Sequence, residues 1–488
     1  MIRKLIIHTS IYSMANLLVS FASFISFPIL TRIFSVDDYG KMNFIAVNLS
    51  FLAAISKLGI QNAIPRFYSE INSGKSSFNL NSYYSTIIFG MTGAGLFFAL
   101  FFLIITRIIS KKIWGEEIVF ELITFVIPIF IIIKSCDSSL INILRAEERS
   151  GIYTLYTVIK KYLSLVLILI TLFFFAKNLY GFYLASITAE LISLVVLLYS
   201  PVFRSKKLNL FLFSPKIYKT MLVFGIPMIT YEMSGIILNI GDRYVINVFL
   251  GDYELGIYSA AYNMCEYICM ILTVSISQAA LPMYINIWEN KGEIETKIFL
   301  RNSISAYLMI SIPLVVGIYL VGDDLLGLLA SNKYQIDAKL ISLISAGIIF
   351  DGMTVFFAAG LYIAKKTFRI SLIIGISALV NIIINLLLVP NIGLIGAAVA
   401  TLASYVFLGT AMIFSTREIL SFPFPFQDTI KYIIFSTIMY LVVVRIEIPN
   451  NIMSIATKAI IGMSLYFILI FLFHKKTINH IIDLRRGR

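Results

Sequence analysis

The sequence predicts an all-α polytopic membrane protein of about fourteen transmembrane helices, built as two parallel six-helix repeats followed by two further helices. Three observations carry this expectation. Hydrophobic residues fill 59% of the 488 positions and charged residues only 13%, about half the charge of a soluble domain. Apolar runs of about 20 residues recur from end to end, and they are continuous rather than alternating, which favours helices over a barrel. The second half of the chain also restates the first, at an offset of 215 to 218 residues.

The expected spans lie near 11–30, 40–60, 83–106, 118–142, 152–176, 181–203, 221–249, 256–281, 302–321, 339–362, 370–389, 393–415, 430–446 and 453–473. The first run follows Arg3 and Lys4 but contains Asn16 and Pro28 and lacks a small-residue cleavage site. It reads as a retained helix rather than a signal peptide. The stretch from Met221 to Tyr262 restates the first two spans. Gly40 of the Asp38-Tyr39-Gly40 turn aligns with Gly256 of Glu254-Leu255-Gly256, and Ala63-Ile64-Pro65 aligns with Ala280-Leu281-Pro282. Leu144–Glu148 before span five corresponds to Tyr362–Lys366 before span eleven. Asn178–Gly181 corresponds to Ile392–Gly396 before spans six and twelve. Six spans separate the copies, so the halves share one orientation. This gives three segments: an N-lobe of residues 1–207, a C-lobe of 208–416, and residues 417–488 with spans thirteen and fourteen and a basic tail. The basic stretch Arg204 to Lys219 is the linker.

An even span count puts both termini on one side. The loops on that side hold about 26 Lys and Arg, with Lys160 and Lys161 counted among them, against about 11 on the other. Both termini are therefore expected to be cytoplasmic, and the tail from His474 to Arg488 is suited to anionic lipid. The net charge of +13 is read as this topological bias, and nucleic acid is excluded as a partner. The longest loop, about 20 residues around Arg66 to Ser82, leaves no room for a soluble catalytic domain. No GxxxxGK[ST] loop is present, so ATP hydrolysis by that route is excluded. Cys136, Cys265 and Cys269 sit in apolar runs without a histidine or second thiol pair and read as buried small residues. No cofactor, metal site or enzymatic activity is expected.

Two six-helix halves, two further helices, the early Asp38-Tyr39-Gly40 turn and the Gly393-Leu394-Ile395-Gly396-Ala397-Ala398 entry to span twelve resemble the polysaccharide flippases. These are the O-antigen and capsule repeat-unit translocases of the multidrug/oligosaccharidyl-lipid/polysaccharide exporter superfamily. The resemblance covers essentially the whole chain. It implies two lobes forming a V around a central cavity in the bacterial cytoplasmic membrane. By alternating access such a protein moves an undecaprenyl-diphosphate-linked oligosaccharide from the cytoplasmic to the outer leaflet. Basic residues of the cavity are implied to meet the diphosphate and sugar, and the polysaccharide polymerase machinery is an implied partner.

A charge deep in a helix costs several kcal/mol unless it is paired or hydrated, so each one is a functional candidate. Arg243, two thirds along span seven, is the first candidate to meet a diphosphate. Asp242 beside it points about 100° away, so the two need not neutralise each other. Lys134 and Asp137 in span four lie three apart on one face, where they form a self-satisfied pair or serve the cavity. Lys134 plus 217 is Asp351 in span ten, so equivalent positions of the halves carry opposite charges suited to a gate or an ion-responsive pair. Glu190, Glu232 and Glu266 in spans six, seven and eight are candidates for coupling to H⁺ or Na⁺, with a helix–helix hydrogen bond as the competing reading of each. Arg32 closes the set of substrate-binding candidates, its other reading being an interface residue that reaches headgroups. Arg145 and Arg149 read as solvated loop charges.

The main reading is a lipid-linked oligosaccharide flippase driven by an ion gradient or the membrane potential. The runner-up is a cation-coupled multidrug exporter of the same superfamily, for which acidic and aromatic cavity linings would speak. A membrane polysaccharide polymerase or ligase is disfavoured by the short loops, and a scaffold by the intramembrane charges.

Overall fold

The computed structural model describes residues 2–74, 78–108, 117–449 and 451–473. The basic tail from His474 to Arg488 therefore lies outside the described residues, as do the side chains of Arg3 and Lys4. Among the described residues every regular element is helical. Twelve helical stretches are long and apolar enough to cross a membrane. The expected count of fourteen differs from this in two places. Glu117–Ala146 is a 30-residue helix that takes up the expected span near 118–142 but is not among the twelve. Two expected spans, near 221–249 and 256–281, fall largely within the one stretch Pro215–Met270.

The helices are α1 (Ile2–Ile33), α2 (Val36–Ser56), α3 (Ile60–Asn72), α4 (Leu80–Ile108), α5 (Glu117–Ala146), α6 (Ser150–Phe174), α7 (Leu179–Leu198) and the short α8 (Pro201–Arg204). A 3₁₀ turn at Leu210–Leu212 follows, then α9 (Pro215–Ala330), α10 (Ala338–Phe357), α11 (Ala359–Ile363), α12 (Thr367–Ile392), α13 (Leu394–Thr416), α14 (Phe426–Val443) and α15 (Asn451–Phe473). A straight helix of the 116 residues in α9 would run roughly 170 Å, over five bilayer cores. Gly251 at φ 88° and Gly292 at φ 82° break it, because that backbone region lies outside the right-handed helix.

The chain divides into two compact units. Residues 1–256 with 374–382 form the first, and 257–373 with 383–488 the second.

In the first unit α1 stays helical through Pro28. Ser35 caps α2, its Oγ accepting from the Asp38 amide at 3.1 Å, and Asp37 and Asp38 fill the first turn. The acidic turn of the sequence is thus a helix start, where carboxylates meet the positive end of the dipole. Leu58 and Gly59 at positive φ separate α2 from α3. Helix α3 takes up much of the stretch expected as the longest loop. The repeat has a structural counterpart here. A Cβ on Gly40 would lie 1.9 Å from the Asp252 carbonyl oxygen, and one on Gly256 would lie 2.1 Å from the Val36 carbonyl oxygen. Gly40 and Gly256 are equivalent in the repeat, as are Val36 and Asp252, so this backbone contact is reciprocal. A second close approach joins Gly59, at φ 69°, to the Gly225 backbone.

The linker folds back onto the first unit. Lys206 is buried and its Nζ bonds Glu147 Oε1, which also accepts from Tyr84 at 2.6 Å. Arg149 Nε approaches Glu147 Oε2 at 2.8 Å, and Arg145 donates to Tyr153 at 2.7 Å. These two arginines are therefore engaged rather than simply solvated. Burial pulls the Lys206 ammonium below the ordinary lysine range, and Glu147 opposes that pull.

In the second unit buried hydroxyls tie the helices together. Tyr307 donates to the Ile349 carbonyl at 2.8 Å, Thr416 to Phe357 at 2.9 Å, and Tyr466 of α15 to Met309 at 2.7 Å. Ser305 and Tyr432 of α14 meet at 3.0 Å. The second unit holds a largely apolar, half-open pocket of about 710 Å³, with Leu308, Phe350, Met353, Phe422 and Arg417 among its walls. Cys136, Cys265 and Cys269 are free and buried.

Candidate functional site: a charged cluster within the first unit

Helices α5, α6 and α7 bring five charged side chains and the Tyr156 hydroxyl together. Lys134 Nζ of α5 lies 2.5 Å from Glu190 Oε1 of α7. Lys160 Nζ of α6 lies 2.7 Å from Asp137 Oδ2 of α5 and 3.7 Å from Glu190 Oε2. The second distance is an ion pair but too long for a hydrogen bond, and Glu190 Oε2 is a buried oxygen without a hydrogen-bond partner. Tyr156 donates its hydroxyl to Asp137 Oδ1. Lys161, next along α6, interacts electrostatically with Lys134 and Glu190. Among the described residues it has no hydrogen bond or ion pair of its own.

Three ammonium groups thus face two carboxylates. The two matched pairs lower the cost of burying charge, since removing one partner of a buried pair strands the other. The third cation leaves the cluster with a surplus positive charge. Chemically such an arrangement suits an anion, with Lys134 and Lys160 already held by carboxylates.

The self-satisfied pair, one of the two readings of Lys134 and Asp137, is not made. Each pairs across helices instead, Lys134 with Glu190 and Asp137 with Lys160. Lys160 and Lys161, counted as loop residues, lie ten and eleven residues into α6 and inside the candidate span Ser150–Phe174. Their signal was present in the sequence. Tyr156 and Lys160 are four apart and share a helix face, and both fall within the expected span 152–176.

The other candidates are distributed along the chain. Asp242 and Arg243 are both buried. Arg243 NH1 donates to the Asn239 carbonyl at 3.2 Å and lies 3.9 Å from Asp242 Oδ1, so the two neighbours do approach each other. Glu232 accepts from Gln61 Nε2 and lies 3.7 Å from Lys57. Gln61 is a partner that sequence reasoning missed. Tyr244 donates to Asn48 Oδ1 at 2.9 Å. Arg32 is exposed and donates to the Pro28 carbonyl of its own helix at 3.0 Å. Asp351 and Glu266 belong to the second unit. Glu266 is exposed, and the Asp351 backbone carbonyl accepts from Thr354 at 2.6 Å. No group of three or more His, Cys, Asp or Glu suited to a metal occurs among the described residues.

Apolar helices that carry buried charge of both signs define a multi-pass membrane transporter. Residues 29–339 match the family described as polysaccharide biosynthesis protein, and the chain, matched over well more than half its length, belongs to that family. Two relatives illustrate it. The probable low-salt glycan biosynthesis flippase Agl15 of Haloferax volcanii is 26% identical over 167 residues, 34% of each chain. The capsular polysaccharide biosynthesis protein CapF of Staphylococcus aureus is 25% identical over 403 residues, 81% of this chain and 95% of that one. The match to the archaeal flippase thus spans only about a third of that relative's length.

Solved structures share the fold. The lipid II flippase MurJ in an inward closed conformation superposes with a TM-score of 0.72 at 17% identity, over 94% of this chain and 99% of that one. An inward-facing multidrug resistance MATE family transporter of the MOP superfamily gives 0.60 at 16% identity, over 83% and 93%. The fold is that of flippases and exporters of this superfamily.

Proposed function

We propose that the protein flips undecaprenyl-diphosphate-linked oligosaccharide repeat units from the cytoplasmic to the outer leaflet by alternating access. The observation that carries this reading is the surplus cation of the Lys134–Lys160–Lys161 cluster. A diphosphate head cannot enter hydrocarbon, and a carrier must replace its water with fixed donors and oppose its charge. Lys161 supplies charge that no carboxylate of the cluster cancels. Lys134 and Lys160 supply donors that exchange a carboxylate for a phosphate, and the buried Arg243 adds a second cation. Membership of the polysaccharide biosynthesis family and the flippase names of relatives support the cargo class.

In this reading Asp137 and Glu190 hold the lysines while the site is empty and, with Asp351, Glu232 and Glu266, are the groups that respond to H⁺ or Na⁺. The protein sits in the bacterial cytoplasmic membrane with both termini cytoplasmic, residues 1–207 and 208–416 as its lobes, and a polysaccharide polymerase downstream. The multidrug exporter reading is favoured by one observation, the likeness to MATE folds.

The test is reconstitution in vesicles with a fluorescent undecaprenyl-diphosphate oligosaccharide, under an imposed pH gradient or potential. The flippase reading expects movement of the lipid that slows several-fold in Lys161→Met. Movement of an organic cation with none of the lipid would replace it with the exporter reading.

A further inference from the structure

The linker between the halves carries an exposed apolar turn to which the proposed function gives no role. Leu210, Phe211 and Leu212 form the 3₁₀ turn and all three are exposed, Phe211 at 94%. Three adjacent large apolar side chains in water forgo about 25 cal/mol for every Å² left unburied. The turn is also firmly held. Asn209 Oδ1 accepts from the Phe211 amide at 3.0 Å, and the Asn209 amide donates to Ser85 Oγ at 3.2 Å. Ser82 Oγ donates to the Leu212 carbonyl at 2.7 Å, and the Ser214 amide donates to Thr86 Oγ1 at 2.9 Å. Upstream, Lys206 is locked onto Glu147. The backbone is thus pinned to the start of α4 while the apolar side chains stay uncovered.

The exposed charge along the linker has one sign. Arg204, Lys207, Lys216 and Lys219 are exposed, and no Asp or Glu occurs between Glu190 and Glu232. The helices on either side, Leu179–Leu198 and the one starting at Pro215, are both candidate spans, so the turn lies within one short connection of the membrane surface. Apolar side chains ringed by cations match the interface of an anionic leaflet, where each basic residue adds attraction and the rings enter the headgroup region.

We propose that the Leu210–Phe211–Leu212 turn is a foot that inserts into the interface of an anionic lipid leaflet, with the flanking lysines on lipid phosphates. It sets the depth of the first unit in the bilayer, because its backbone is fastened to that unit. This inference rests on the linker alone and does not need the flippase reading.

A spin label on Phe211→Cys in the full chain reads it directly. The three native cysteines are buried, and the labelled wild-type chain serves as the blank. Collision with an aqueous nickel chelate is measured in phosphatidylcholine vesicles and in vesicles made half of phosphatidylglycerol, with Ser205→Cys as the aqueous reference. We expect a several-fold loss of chelate access at 211 in the anionic vesicles. That loss should disappear when Lys207, Lys216 and Lys219 are all changed to Gln. Leu210→Cys gives an independent label with the same expectation. Chelate access at both positions equal to that at Ser205→Cys would overturn the foot, and equal protection in neutral vesicles would overturn the choice of anionic lipid.

Discussion

An ammonium group inside a membrane span must find an anion or water. Lys134 and Lys160 find Glu190 and Asp137, and this makes the two kinds of lysine separable by mutation. Glu190→Gln strands Lys134. It is expected to destabilise the protein by an amount at or below the low end of about 3–5 kcal/mol, because the Lys134 side chain is 33% exposed. Thermal unfolding in detergent checks it. The double variant Lys134→Met with Glu190→Met should recover part of that loss, a coupling of about 0.5–3 kcal/mol, without recovering transport. Lys161→Met removes no hydrogen bond or ion pair of the cluster, so stability is expected to hold while transport falls. The candidates Lys134, Asp137 and Glu190 were legible because charge in an apolar run stands out. Their partners were less so. Which helix faces which depends on packing that a linear reading does not give, and Lys160 and Lys161 read as loop lysines because charge is costly inside a span.

At the scale of helices, small residues decide where backbones meet. Gly40 and Gly256 admit the carbonyls of Asp252 and Val36 at distances no Cβ tolerates. Gly40→Ala and Gly256→Ala are each expected to destabilise the first unit, since backbone must shift to clear the added carbon. Gly93→Ala meets nothing within 4 Å and should be neutral or stabilising by about 0.5–1 kcal/mol. Comparing the three melting temperatures checks the assignment. The aligned glycines were legible as a repeat, since the offset of 216 singles them out. Their mutual contact was not, because sequence equivalence does not say that two copies touch. Helix α3 was missed for a different reason. Its charged residues, such as Arg66 and Glu70, read as loop, yet they sit four apart and pair at 3.2 Å along a helix, the spacing that a helix face brings together.

For the whole molecule, hydropathy was enough for the class. Runs of about 20 apolar residues leave few alternatives to helices in a bilayer, and the fold is shared with flippases and exporters. The exact spans were less legible, since Pro215–Ala330 forms one helical stretch whose breaks at Gly251 and Gly292 are backbone events. The central claim is that a surplus cation held among α5, α6 and α7 serves a diphosphate-headed glycolipid. Mass spectrometry of undecaprenyl-diphosphate oligosaccharides tests it most directly, in cells depleted of the protein and in cells carrying Lys161→Met or Arg243→Ala. The account predicts that intact lipid-linked repeat units accumulate in all three. An unchanged lipid pool together with rising sensitivity to cationic drugs would contradict it and make the protein an exporter.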